Sequence, residues 1–386
     1  MKKSFTKSLT FFLKSIISSL FAGNCGCGGV AQLVRAPACH AGGRGFESRH
    51  SRHFFDGGST GFSDPTHLTL EIFPMQKSFW LILDKPHGLS SNQSLSKVKR
   101  ILGLKKAGYS GTLDPLATGV LPIAFGDALK TMAHITLSEK TYQFQIRFGV
   151  RTTTDDLEGE VLETSTVLPS KEGIQNALCE FRGEIEQMPP VYSALKIDGM
   201  RACDRVRKGE AVTLKSRTVY IYDLKLLSME DSSHATFEVS CSAGTYVRSL
   251  ARDLAKVLGT VGCVSILRRT AVGPFNLTQA VILEDLAKKT VEKNDNMHHI
   301  KDVHGFALPI DIGLDDILAV SVNREVADRL KNGQRVPHSL NIEALGQTIR
   351  LYEEKTFIGF AHFEAGQNTE SGTGVLHPYR MINDND

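Results

Sequence analysis

Apolar positions recur along this chain with two different periods, and the changes between them mark its elements. The run Phe79-Trp80-Leu81-Ile82-Leu83 is apolar throughout and of strand length, closed by Asp84, Lys85, Pro86 and Gly88. Ser90, Ser91 and Asn92 offer caps for a helix from about Gln93 to Leu102. Leu95, Val98, Ile101 and Leu102 make its apolar face, and Gly103 ends it. A second apolar run covers Val120 to Phe125, and Asp127 is placed to cap a short helix reaching Ile135. From Tyr142 the period becomes two, with Tyr142, Phe144, Ile146 and Phe148 on one face of a strand that runs to Val150. A polar, Thr-rich and acidic loop follows, Arg151 to Gly159. The spacing of Ile174, Leu178 and Phe181 then predicts a helix over 170–182, with Ser170 as cap and Glu172 in its first turn. Strands are expected at about 219–227 and 236–240. Thr245 is placed to cap the next helix, whose buried stripe is Val247, Leu250, Leu254 and Leu258 and which Gly259 ends. Beyond Ala287 the chain is polar to about Val303 and reads as a linker. A short helix, Arg324 to Leu330, and strands at Thr348–Tyr352 and Phe357–Phe360 complete the pattern.

Composition changes this picture little. The 386 residues allow a sizeable core and two domains, and 41% apolar with 23% charged residues is ordinary for a globular chain. The net charge of +3 is carried by residues 1–74. They hold eight of the 45 Lys/Arg and four of the 42 Asp/Glu, leaving 37 bases against 38 acids in the rest. Bulk charge therefore gives no argument for nucleic acid, and any such surface must be made by local patches. The seven cysteines show no CxxC and no zinc spacing, so neither a metal nor a cofactor is expected. Cys179, Cys203, Cys241 and Cys263 read as buried thiols of a reduced, cytoplasmic protein, and no apolar run is long enough to span a membrane.

Residues 1–74 are expected to be a leader foreign to the fold. Val30-Ala31-Gln32-Leu33-Val34-Arg35-Ala36-Pro37 back-translates naturally to the D-arm of a tRNA gene, and Phe46-Glu47-Ser48-Arg49 to its T-arm. A start at Met75, downstream of a tRNA gene read through by error, accounts for both. The competing reading is a basic presequence, with Lys2 and Lys3 before an apolar stretch from Leu9 to Leu20.

The candidate chemistry lies in Ala107-Gly108-Tyr109-Ser110-Gly111-Thr112-Leu113-Asp114-Pro115-Leu116-Ala117-Thr118-Gly119. This is a Gly-punctuated loop between apolar runs that presents one carboxylate, Asp114, held out of the helical region by Pro115. Such a group serves as acid, base or nucleophile, while a bare Asp-Pro is more often a plain turn. The whole string, with Leu83-Asp84-Lys85-Pro86-His87-Gly88-Leu89-Ser90-Ser91 before it, resembles the signature of the TruB family of tRNA pseudouridine synthases. Later segments repeat the resemblance in order, covering about residues 79–275 and, more loosely, the C-terminal part.

The resemblance implies an α+β fold: a catalytic domain over 75–287 with a mixed, mostly antiparallel sheet flanked by helices. A linker over 288–307 and a small PUA-like RNA-binding barrel over 308–386 follow. It implies that a monomer isomerises uridine 55 in the T-loop of tRNA, with tRNA as partner, no metal and no membrane. Asp114 takes the catalytic position, and Tyr142, Tyr246, Arg248 and Leu267 take the substrate pocket, with Arg248 paired to Asp114 and holding its pKa down. Lys97, Lys99, Arg100, Lys105 and Lys106 form a basic edge expected beside the Asp114 loop, and Lys85, Lys196 and Arg201 join them as RNA contacts. Tyr109 stands where the family often has His and is assigned to RNA as well. Cys203 and Val206 depart from the family's usual Tyr and Ala. Two other readings share these residues: a guide-RNA-dependent synthase acting within a protein complex, and a non-catalytic RNA-binding or tRNA-folding protein.

Overall fold

The computed structural model describes residues 78–193, 195–197, 199–290, 305–366 and 373–382. The expected leader and residues 291–304 of the expected linker lie outside these. One large sheet carries the site. Its strands in chain order are β1 (Phe79–Lys85), β2 (Ala107–Tyr109), β3 (Thr118–Phe125), β4 (Lys140–Phe148), β5 (Gly183–Gln187), β6 (Arg217–Met229), β7 (His234–Cys241), β8 (Gly262–Val272), β9 (Phe275–Asn276) and β10 (Ala280–Val281). The spatial order is β10-β1-β3-β8-β4-β7-β6-β5, with β2 beside β3 and β9 beside β8. The pairs β1–β10 and β3–β8 are parallel and the others antiparallel, so the sheet is mixed and mostly antiparallel, as expected.

Helices α1 (Ser91–Leu102), α2 (Lys171–Ala177), α3 (Val247–Val257) and α4 (Leu283–Thr290) accompany it. One face of β4, β7 and β8 is covered by α2 and α3 through Tyr142, Phe144, Ile146, Phe237, Leu250 and Leu254. The other face of β4 is only partly covered, which is why its sequence alternates with period two. Around β1 and β3 the sheet is buried on both sides. Phe79, Leu81 and Leu83 meet α1 and α4, and Trp80 and Ile82 meet Val272 and Phe275 on the far face. That double burial explains the unbroken apolar run of β1.

Local signals fixed several boundaries and missed others. A capping box starts α1 two residues earlier than the apolar spacing indicated: Ser90 Oγ accepts from Gln93 N, and the Gln93 side chain accepts from Ser90 N. Gly103, in the left-handed region, ends the helix. Ser170 caps α2, which tightens into a 3-10 turn over Leu178–Phe181 rather than continuing as α-helix to Arg182. Asp127 is not a cap. It lies buried in a 3-10 turn, Gly126–Lys130, where Lys106 and Lys130 reach its carboxylate at 3.2 and 2.8 Å. Thr245 is not a cap either, since its hydroxyl donates to Ser242 O and α3 begins after Tyr246. Of the four described cysteines, Cys241 and Cys263 are buried, but Cys179 is exposed.

At Leu308 the chain bonds Trp80 in both directions at the sheet's edge, and Leu308, Ile310 and Ile312 pack beside it. A second, five-stranded sheet follows: β11 (Leu318–Val322), β12 (Val336–Ser339), β13 (Thr348–Glu353), β14 (Thr356–Ala365) and β15 (Thr373–Met381), with α5 (Arg324–Lys331) after its first strand. Its order is β11-β13-β14-β15-β12. The curled small sheet around Ile349, Leu351, Phe363 and Leu376 is consistent with a PUA-like barrel. It rests on the large unit near Lys130, whose ammonium donates to Met381 O at 2.6 Å, and His134 stacks on Phe360.

Candidate active site

The Asp114 loop joins β2 to β3 and is pinned at nearly every second residue. Ser91, at the start of α1, exchanges two hydrogen bonds with the backbone of Leu113, at 2.8 and 3.0 Å. Gly88 N donates to Pro115 O, and Asp114 O accepts from Ala117 N to close the turn. Leu113 and Leu116 anchor the loop in the core between them. Lys85, expected to meet RNA, is fully buried instead. Its ammonium donates to the carbonyls of Pro86, Leu89 and Pro115, three donors for three acceptors. Burial lowers its pKa from 10.5 to about 8, against the raising pull of Asp114.

So held, Asp114 stands in a cavity of about 570 Å³ whose walls include Tyr142, Tyr246, Arg248, Leu267 and Arg269. The five residues expected at the catalytic position and in the pocket are thus brought together. Asp114 Oδ2 lies 2.9 Å from Arg248 Nε, and its side chain is 35% exposed to the cavity, whereas that of Arg248 is only 5% exposed. Arg248 also donates through Nη1 to Thr154 O at 2.8 Å and through Nη2 to Tyr192 O at 2.9 Å, with Asp156 Oδ2 3.6 Å from Nη1. A guanidinium committed on all sides cannot swing away from its carboxylate. One turn on, Arg252 binds Asp155 at 3.0 Å, so the acidic loop after β4 serves to seat both arginines. Burial outweighs the arginine: the carboxyl of Asp114 titrates above its ordinary value, with Asp156 adding to the rise and Arg248 and Lys85 opposing it. Arg248 does pull the carboxyl down, as expected, while desolvation is the larger influence and leaves the shift upward.

Tyr142 is buried in β4 and Leu267 in β8. Tyr246 is fixed from two sides. Gln187 accepts from its N–H at 2.7 Å and donates to its carbonyl, while the Arg217 guanidinium lies 4.9 Å from the ring centre. Gln187, Arg217 and Arg269 are the participants the sequence reading did not single out. Each acts on a residue far away in the chain, and only the periodicity of β5, β6 and β8 places them inward.

The basic edge lies outside the cavity, on and after the helix whose first residue is bonded to the Asp114 loop. Lys97, Lys99, Arg100, Lys105 and Lys106 are partly or fully exposed on and after α1, and none lines the cavity; Lys106 is tied to Asp127. Tyr109 is half-buried against the cluster beneath α1 and is absent from the cavity wall as well. Lys196 and Arg201 pair through their backbones in a two-stranded ribbon, and their side chains fall outside the described residues. Among the described residues, no group of three or more His, Cys, Asp or Glu is set to hold a metal ion. No helix among them is long and apolar enough to cross a membrane.

The site is thus a mixed sheet presenting one carboxylate on a rigid loop, against an arginine and two tyrosines. The fold is shared with a solved H/ACA ribonucleoprotein bound to a substrate RNA containing 2′-deoxyuridine (TM-score 0.60, 21% identity, 81% of this chain and 86% of that one). It is shared also with the archaeal box H/ACA Nop10–Cbf5 complex (TM-score 0.58, 22% identity, 79% and 86%). Three family models match in succession: the TruB family pseudouridylate synthase N-terminal domain over 99–247, the tRNA pseudouridylate synthase B C-terminal domain over 248–315, and the pseudouridine synthase II TruB C-terminal domain over 319–382. Proteins named tRNA pseudouridine synthase B are similar over most of their length. That of Caulobacter vibrioides is 45% identical over 67% of this chain and 81% of its own, and that of Roseobacter denitrificans 41% over 79% and 96%. The chain belongs to the TruB family of pseudouridylate synthases, and it is an isomerase.

Proposed function

We propose that the protein converts uridine 55 in the T-loop of tRNA to pseudouridine, acting on the RNA without a guide, with Asp114 as the reacting carboxylate. The observation that carries this reading is the Asp114–Arg248 pair at 2.9 Å inside a cavity large enough for a single extruded base. The relatives named tRNA pseudouridine synthase B support tRNA as the substrate.

A uridine in a folded loop must leave its stack before its glycosidic bond is reachable. Tyr142 then gives the base an aromatic face, Leu267 and Tyr246 close the pocket, and exposed lysines along α1 take phosphates farther out. The base leaves C1′ through N1, turns, and rejoins through C5. One C–N bond is exchanged for a C–C bond, the hydrogen on C5 is lost and N1 gains one, so the change is an isomerisation without net redox. Asp114 works as the anion. Arg248 keeps that anion oriented and offsets part of the burial that favours its proton.

The test is an unmodified tRNA transcript incubated with the wild type and with Asp114→Asn, followed by mapping of pseudouridine. Product at position 55 from the wild type alone supports the reading. Product from Asp114→Asn, or conversion only when a guide RNA is added, overturns it.

A further inference from the structure

Arg269 is a cation that the site buries without a carboxylate. It is 1% exposed, and among the described residues it makes no ion pair. Burying a guanidinium so is costly unless its N–H groups are satisfied. Here Nε donates to Val120 O at 2.8 Å and Nη2 to Gly111 O at 2.9 Å. Tyr142 stands directly opposite Arg269 across the β4–β8 pair, both side chains line the cavity, and the guanidinium charge acts on the phenol. The glycines that bracket Asp114 make room for the same residue. A Cβ on Gly111 would lie 2.8 Å from Arg269 Nη1, and one on Gly119 would lie 2.1 Å from Arg269 O. Both glycines have positive φ, +71° and +99°. The loop that presents Asp114 is therefore built around one arginine, and that arginine reaches across to the tyrosine wall.

We propose that Arg269 is a positioning residue for the reaction: it locks the Gly111–Gly119 loop to Tyr142 and so sets the gap between the Asp114 carboxylate and the stacked base. This inference rests on the roles given above to Asp114 and Tyr142. A lysine keeps the charge but cannot reach Val120, Gly111 and Tyr142 together in one plane.

The test compares the wild type, Arg269→Lys, Tyr142→Phe and the double variant in single-turnover reactions and RNA-binding titrations on a tRNA transcript. Arg269→Lys is expected to slow the bound reaction about 100-fold while RNA affinity stays within about threefold, because misplacement acts on the chemical step. The double variant is expected to be no more than about threefold slower than Arg269→Lys alone, since both changes break one contact. Fully multiplicative losses, an unchanged rate, or lost affinity with a normal saturated rate each overturn the proposal, the last making Arg269 an RNA-binding cation. Tyr142→Phe keeps the ring and supplies an arm that does not depend on a buried arginine being replaceable. Amide exchange at Thr112 and Leu113 should speed up in it, and unchanged exchange contradicts the link. If the wild type forms no pseudouridine, the catalytic reading fails, whereas the exchange arm still decides whether Tyr142 and the loop are joined.

Discussion

In the proposed reaction Asp114 acts as an anion, in a place that resists anions. Burial raises its pKa, so activity that needs the carboxylate is present above that raised value and lost as pH falls through it. Replacing Arg248 by Met removes the strongest opposing cation. The acid limb of the pH–rate profile is then expected to move to higher pH, and the single-turnover rate at neutral pH to fall about 100- to 1,000-fold. An acid limb that stays in place in Arg248→Met contradicts this account of the pair. Lys85 gives a stability prediction of the opposite kind. Its folded pKa, about 8, lies below the ordinary 10.5, so the unfolded chain holds the extra proton between those values. Unfolding free energy should therefore climb with pH across that window, and Lys85→Met should flatten the climb. The same variant leaves three carbonyls without their donor, which should cost about 3 kcal/mol in denaturant titrations near neutral pH. At this scale the sequence showed which residues meet, because a long motif names them. It did not show that Lys85 points inward, since a lysine beside Pro and Gly reads as surface until three carbonyls are seen to converge on it.

At the scale of elements, periodicity was legible wherever burial is one-sided. The alternation of β4 and the apolar stripe of α3 follow directly from a single covered face. Caps were less legible where they come from afar: α3 is entered through Gln187, a residue of β5, and not through the neighbouring Thr245. The parallel contact between β3 and β8 was also hidden, although Gly119 marks it. There the backbones approach too closely for any Cβ. Gly119→Ala is expected to cost about 3 kcal/mol or more from combined backbone strain and overlap with Arg269 O, measured by chemical unfolding. A loss below about 1 kcal/mol would show that β3 and β8 can move apart.

Across the whole molecule, the two sheets are joined by a few specific contacts near Lys130. Lys130 donates to Met381 O, Arg380 donates back to Lys130 O at 3.0 Å, and His134 stacks on buried Phe360. Phe360→Ala is expected to cost about 3–5 kcal/mol in the small sheet. It should also split a single melting transition into two by calorimetry, and a lone, unshifted transition would argue against that coupling. None of this docking was legible in the sequence, because it joins residues about 250 positions apart.

The central claim is that Asp114 drives exchange of the C1′–N1 bond for a C1′–C5 bond in the tRNA T-loop. The most direct measurement is release of tritium to water from a tRNA transcript carrying 5-tritiated uridine, because the C5 hydrogen is lost only when the carbon bond has formed. The wild type is expected to release one equivalent, confined to position 55, and Asp114→Asn none above background. Equal release by both proteins, or none by either with the RNA fully bound, would contradict it.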